Sequence, residues 1–177
     1  VYSAEMNEKS LRHLAMGNQL HKALQEKEFS LVYQPKLNLS SSKVVGVEAL
    51  LRWHNDKLGF VSPAEFIPLA EDLGLIGEIG LWVLQEACHQ CRQWQDEGVP
   101  PIQMSVNVSP QQFGHGVLSQ YVEEALRAAE LAPQLLDLEI TESCLIEDTE
   151  QVIQTLEHLR QKGVSISMDD FGIGYSS

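Results

Sequence analysis

Ile102-Gln103-Met104-Ser105-Val106-Asn107, Leu136-Asp137-Leu138-Glu139 and Val164-Ser165-Ile166-Ser167-Met168-Asp169 share one layout, and Val44-Val45-Gly46-Val47-Glu48 has it earlier in the chain. Each alternates apolar residues with small or polar ones, and strand side chains alternate between two faces. Read as strands, they put Glu48, Asn107, Glu139 and Asp169 on one face with Gly46, Ser105, Asp137 and Ser167. The Val/Ile/Leu/Met phase lies opposite. Helical patterns separate the last three, as expected of parallel strands whose apolar side is covered by helices. Asn107 and Glu139 lie 32 positions apart, and Glu139 and Asp169 lie 30 apart. Both spacings approach the length of a strand-helix-strand unit, about 30 residues. The polar residues, near the C-terminal end of each strand, then converge at the mouth of a barrel or crevice. Three carboxylates and an amide gathered there suit hard cations.

Working outward, Leu11, Leu14, Leu20, Ala23 and Leu24 predict a helix over roughly 7 to 27 with no cap in front of it, as though cut from something longer. Phe29 to Leu37 and Val44 to Trp53 read as strands joined by Asn38-Leu39-Ser40-Ser41-Ser42-Lys43. That connection is too short for a helix, so the two strands pair antiparallel. His54 to Gly59 reads as a polar turn, and Ser62-Pro63 caps a short helix through about Asp72. A longer helix runs from about Ile76 to Glu97 and stops at Gly98-Val99-Pro100-Pro101. Ser109-Pro110 opens a loop, and Val117, Tyr121, Ala125, Leu126 and Ala129 mark the next helix. Asp148-Thr149 caps the last helix, which Gly163 ends. About five strands result, against the eight of a complete (β/α)₈ barrel of about 250 residues, so the architecture is expected to be incomplete at its C-terminal side.

Bulk properties narrow the function classes. The 177 residues carry 44% hydrophobic and 21% charged residues, ordinary for a globular domain. A net charge of −13 argues against a nucleic-acid polymer as partner, which would favour a basic surface. No apolar run reaches the roughly 18 residues of a spanning helix, and no signal-peptide pattern opens the chain, so a cytoplasmic location without membrane contact is expected. Cys88-His89-Gln90-Cys91 has zinc-like spacing but sits on the apolar phase of the long helix, where two core thiols are the better reading. Cys144 reads as packing.

Six segments in order carry a family resemblance. They are Tyr33-Gln34-Pro35, Glu48-Ala49-Leu50-Leu51-Arg52-Trp53, Pro63 to Glu71, Ser105-Val106-Asn107-Val108-Ser109, Glu139-Ile140-Thr141-Glu142 and Asp169-Asp170-Phe171-Gly172-Ile173-Gly174-Tyr175-Ser176-Ser177. Together they strongly resemble the EAL domain family of bacterial phosphodiesterases, which hydrolyse cyclic di-GMP to linear pGpG. The resemblance spans Phe29 to Ser177 and implies an α/β fold, a TIM-type barrel with an antiparallel first strand. It divides the chain into a helical linker, 1–27, and the phosphodiesterase domain, 28–177.

The resemblance further implies a two-metal site holding Mg²⁺ or Mn²⁺ on Glu48, Asn107, Glu139, Asp169 and Asp170, with Glu48, Asp169 and Asp170 catalytic. Hard oxygen ligands suit those ions better than zinc. Gln34, Leu50 and Arg52 match family positions that touch substrate, the guanidinium suiting a phosphate. Glu142 matches a residue that ties down the glycine-rich loop. Ile173 stands where the family usually has Thr, so a bulky β-branched residue replaces a small hydroxyl in the loop that bears on hydrogen bonding, metal occupancy and dimer contacts. Beyond this segment the family supplies a Lys, a late metal-binding Glu and a substrate Gln, so the segment alone is expected to be nearly inactive. Residues 1–24 resemble the link between a GGDEF domain and an EAL domain, which makes an upstream GGDEF or sensory domain an expected partner. Two further readings are a receptor that binds cyclic di-GMP without cleaving it and a fragment that self-associates, for example as a homodimer.

Overall fold

The computed structural model describes residues 4–145 and 149–169. Asp148, Asp170 and the glycine-rich stretch with Ile173 lie outside them. In chain order the elements are α1 (Ala4–Ala23), β1 (Phe29–Leu37), β2 (Val44–Asn55), β3 (Gly59–Val61), α2 (Pro63–Asp72) and α3 (Ile76–Asp96). Then come β4 (Gln103–Val108), a 3₁₀ helix (Pro110–Gly116), α4 (Val117–Ala128), β5 (Leu136–Thr141), α5 (Thr149–Gln161) and β6 (Ser165–Asp169). Short 3₁₀ turns at Pro133–Leu135 and Glu142–Leu145 flank β5.

Among the described residues the sheet runs β1-β2-β4-β5-β6 as an open path, with β3 paired to β2. β2, β4, β5 and β6 are parallel neighbours. β1 folds back on β2: Asn38 N–H donates to the Lys43 carbonyl (2.9 Å) and His54 N–H to the Glu28 carbonyl (3.1 Å), in antiparallel order. The fold is α/β with a mixed sheet, the first strand reversed as the short connection requires. Helices follow β4 and β5 because the apolar phase demands cover: Met104, Val106, Val108, Leu136, Leu138 and Ile140 are all buried.

Two compact units make up the chain, Val1–Ser30 with Leu51–Ile79, and Leu31–Leu50 with Gly80–Ser177. In the first, the rings of Phe29, Trp53 and Phe66 pack with centroids 5.5 to 6.1 Å apart. Glu28 anchors this cluster, accepting from Trp53 Nε1 and Asn55 Nδ2, each at 2.8 Å. Ser62 caps α2 through Ala64 N–H with Pro63 at the first position, as the sequence predicts. In the second unit, Cys88, Cys91 and Cys144 are buried, and burial pushes the Cys88 thiol up to about 12.

Two expectations need correction. The polar turn at 54–59 is in large part sheet: β2 continues through Asn55, and Gly59 opens β3, pairing His54 with Phe60. The reversal is confined to a few residues because the Asn55 side-chain oxygen accepts from the N–H groups of Lys57 and Leu58 (3.0 and 3.1 Å). The 3₁₀ helix at Pro110–Gly116 replaces the expected loop. There Ser109 and Gln112 form a capping box, with Gln112 Oε1 accepting from Ser109 N–H at 2.8 Å.

Candidate active site

The polar phases of β2, β4, β5 and β6 form one face, and its residues step across the sheet. Glu48 stands opposite Ser105, Asn107 opposite Glu139, Glu139 opposite Ser167, and Asp169 opposite Thr141. Asn107 Nδ2 donates to Glu48 Oε1 at 2.7 Å, linking two residues 59 positions apart. Glu48, Asn107 and Glu139 are thus brought together on adjacent strands. Glu48 lies in mid-strand rather than near the end of β2, which runs on to Asn55. Of Asp169 the strand position alone is described, and Asp170 falls outside.

On β4 and β5 the face is dry and hydrogen-bonded. Ser105 is 1% exposed, Asp137 2% and Glu139 8%. Asp137 accepts from Ser105 Oγ at 2.9 Å and from Ser167 Oγ at 2.8 Å, one donor to each carboxylate oxygen. Lys36, on β1, reaches the same layer. Its Nζ donates to Ser105 Oγ at 2.7 Å and pairs with Glu139 Oε1. Burial pushes the Glu139 carboxyl above its ordinary value; Lys36 pulls it down in part, and the charges of Glu48 and Asp137 push it further up. A buried carboxylate hemmed in by two others favours any arriving cation.

Among the described residues, no group of three His, Cys, Asp or Glu side chains is placed to hold a metal ion. The donors that are described still suit a hard divalent cation. They are oxygens, one carboxylate is buried, and an ammonium already lies against it as a stand-in. Gln34 is exposed on β1 and Leu50 half-buried on β2. Arg52 belongs to the first unit, where its Nη1 donates to the Leu51 carbonyl at 2.9 Å. Glu142 begins the 3₁₀ turn after β5. Lys36 was not among the residues the sequence singled out, although it shares a strand phase with Gln34.

The model of the EAL domain matches residues 17–177. The chain belongs to the EAL domain family. Over 176 residues it is 43% identical to the bifunctional diguanylate cyclase/cyclic di-GMP phosphodiesterase MucR of Pseudomonas aeruginosa, covering 99% of this chain and 26% of MucR. The cyclic di-GMP phosphodiesterase PA2567 of the same organism is 41% identical over 180 residues, 99% of this chain and 30% of that protein. This EAL chain therefore spans under a third of either relative. Its fold matches the PaMucR phosphodiesterase in its c-di-GMP complex with a TM-score of 0.86 and 45% identity, covering 92% of this chain and 66% of that one. EAL domains are TIM-type barrels, and the sheet described above is an unclosed part of one.

Proposed function

We propose that this EAL domain hydrolyses cyclic di-GMP to linear pGpG in bacterial second-messenger signalling, as a metal-dependent phosphodiesterase. The observation that carries the reading is the meeting of Glu48, Asn107 and Glu139 on neighbouring strands of an EAL domain. Similarity to two proteins named as cyclic di-GMP phosphodiesterases supports it.

In this reading Glu48, Asn107, Glu139, Asp169 and Asp170 hold Mg²⁺ or Mn²⁺. The bound ions would neutralise phosphate charge and lower the pKa of a water. The chain's own residues do the rest. Asn107 fixes the Glu48 carboxylate by its amide hydrogen bond, and beneath it the buried Ser105 and Asp137 are hydrogen-bonded to each other and to the Ser167 hydroxyl. Gln34 and Leu50 contact substrate, Arg52 binds a phosphate oxygen, and Glu142 anchors the loop after Asp170. α1 links to an upstream GGDEF or sensory domain, and the domain works in the cytoplasm as a homodimer. Among the described residues no helix is long and apolar enough to cross a membrane.

The deciding assay follows cyclic di-GMP cleavage by the full-length protein with Mg²⁺ or Mn²⁺. Linear product is expected from the wild type, and Glu48→Gln is expected to lose at least about 100-fold in turnover. Tight binding of cyclic di-GMP with no turnover in either metal would overturn the enzymatic reading and leave a receptor.

A further inference from the structure

Asp137 and Glu139 are two residues apart on one face of β5, both buried, and Glu48 adds a third carboxylate to the neighbourhood. Charges taken out of water at this density require a counter-charge or a change of protonation. Among the described residues the one basic side chain in ion-pair reach of these carboxylates is Lys36. Its ammonium touches both acids at once, Glu139 directly and Asp137 through the Ser105 hydroxyl, which accepts from Nζ and donates to Asp137 Oδ2. Lys36 is itself 37% exposed, against 9% for the Glu139 side chain. The carboxylate is therefore pinned by its surroundings, whereas the flexible lysine stem can carry its charge back to water.

We propose that Lys36 is a positioning residue that occupies the Glu139 carboxylate as an internal cation when no metal is bound, and competes with the divalent ion for it. This rests on the metal-site reading above. Lys36 holds the Glu139 carboxylate in place while the site waits, and must give up Oε1 when the metal arrives, retaining its hydrogen bond to Ser105. An arriving ion meets a carboxylate that is already oriented, at the expense of displacing a like charge.

The test is calorimetric titration of Mn²⁺ into the full-length protein, at about pH 8 so that the carboxylates are ionised. Lys36→Met is expected to bind Mn²⁺ more tightly, by on the order of tenfold, because a positive charge a few ångströms from the ligand oxygen is gone. Lys36→Arg, which keeps the charge, should stay near the wild-type affinity. Should Lys36→Met fail to fold, Lys36→Gln, which retains a donor for Ser105, takes its place. In the wild type, the ¹⁵N resonance of the Lys36 ammonium should move on adding Mg²⁺, a response that a purely structural lysine does not give. Unchanged or weaker Mn²⁺ binding in the neutral variants, or an unmoved resonance, overturns the inference. If the wild type meanwhile hydrolyses cyclic di-GMP, the inference fails alone; a wild type that takes up no metal overturns it together with the metal-site reading.

Discussion

Glu139 combines two demands that pull against each other. Burial, with Glu48 and Asp137 nearby, raises its carboxyl above the ordinary range, and the Lys36 ammonium offsets that rise only in part. Stability from this group is therefore greatest below the ordinary carboxylate value of about 4.3, and is lost as pH rises through the raised value. In melts with a chelator, Glu139→Gln should be more stable than wild type at neutral and higher pH, and the two should coincide in acid. With Mn²⁺ present the order should reverse, because only the wild type gains from the bound ion. Each oxygen of the neighbouring Asp137 accepts a hydroxyl hydrogen bond. Asp137→Ala strands the buried Ser105 hydroxyl and should cost about 1–3 kcal/mol, read from the urea midpoint. The period-two pattern was enough to put Ser105, Asp137 and Glu139 on one face. It could not reveal that Lys36 serves them, because a strand lysine ordinarily points its charge at water and nothing local specifies the facing acid.

At the scale of elements, connection length did most of the predicting. A six-residue link allows only a reversal between β1 and β2, whereas spacings near 30 residues allow parallel strands with intervening helices. Contact between β2 and β4 turns on Gly46, which stands opposite Gln103. A Cβ there would sit 2.8 Å from the Gln103 carbonyl oxygen, a backbone atom that cannot swing aside. Gly46→Ala should therefore force the two strands apart and destabilise the domain by about 1–3 kcal/mol, measured by chemical denaturation. It should also weaken cyclic di-GMP hydrolysis, since Glu48 rides on the displaced strand. The β3 hairpin escaped the sequence reading because Asn55 looks like a turn residue. It is one, through its side chain, while its backbone still belongs to β2.

For the molecule as a whole, a net charge of −13 and a buried carboxylate face would oppose an anionic substrate unless cations intervene. Removing divalent ions from the full-length protein with a chelator should abolish hydrolysis and lower the melting temperature. Mg²⁺ or Mn²⁺ should restore both, and equal ionic strength of NaCl neither, which separates specific binding from screening. The resemblance to the EAL family was legible in six motif segments, and the reversed first strand and the common face of Glu48, Asn107 and Glu139 in alternation and connection length, which are local properties. The register that sets Asn107 beside Glu139 and hydrogen-bonds it to Glu48, the dryness around Asp137, and the reach of Lys36 across the face were decided only by tertiary structure. Those depend on which strands lie side by side and on what covers them, and neither neighbour identity nor local dielectric is encoded in the period of a single strand.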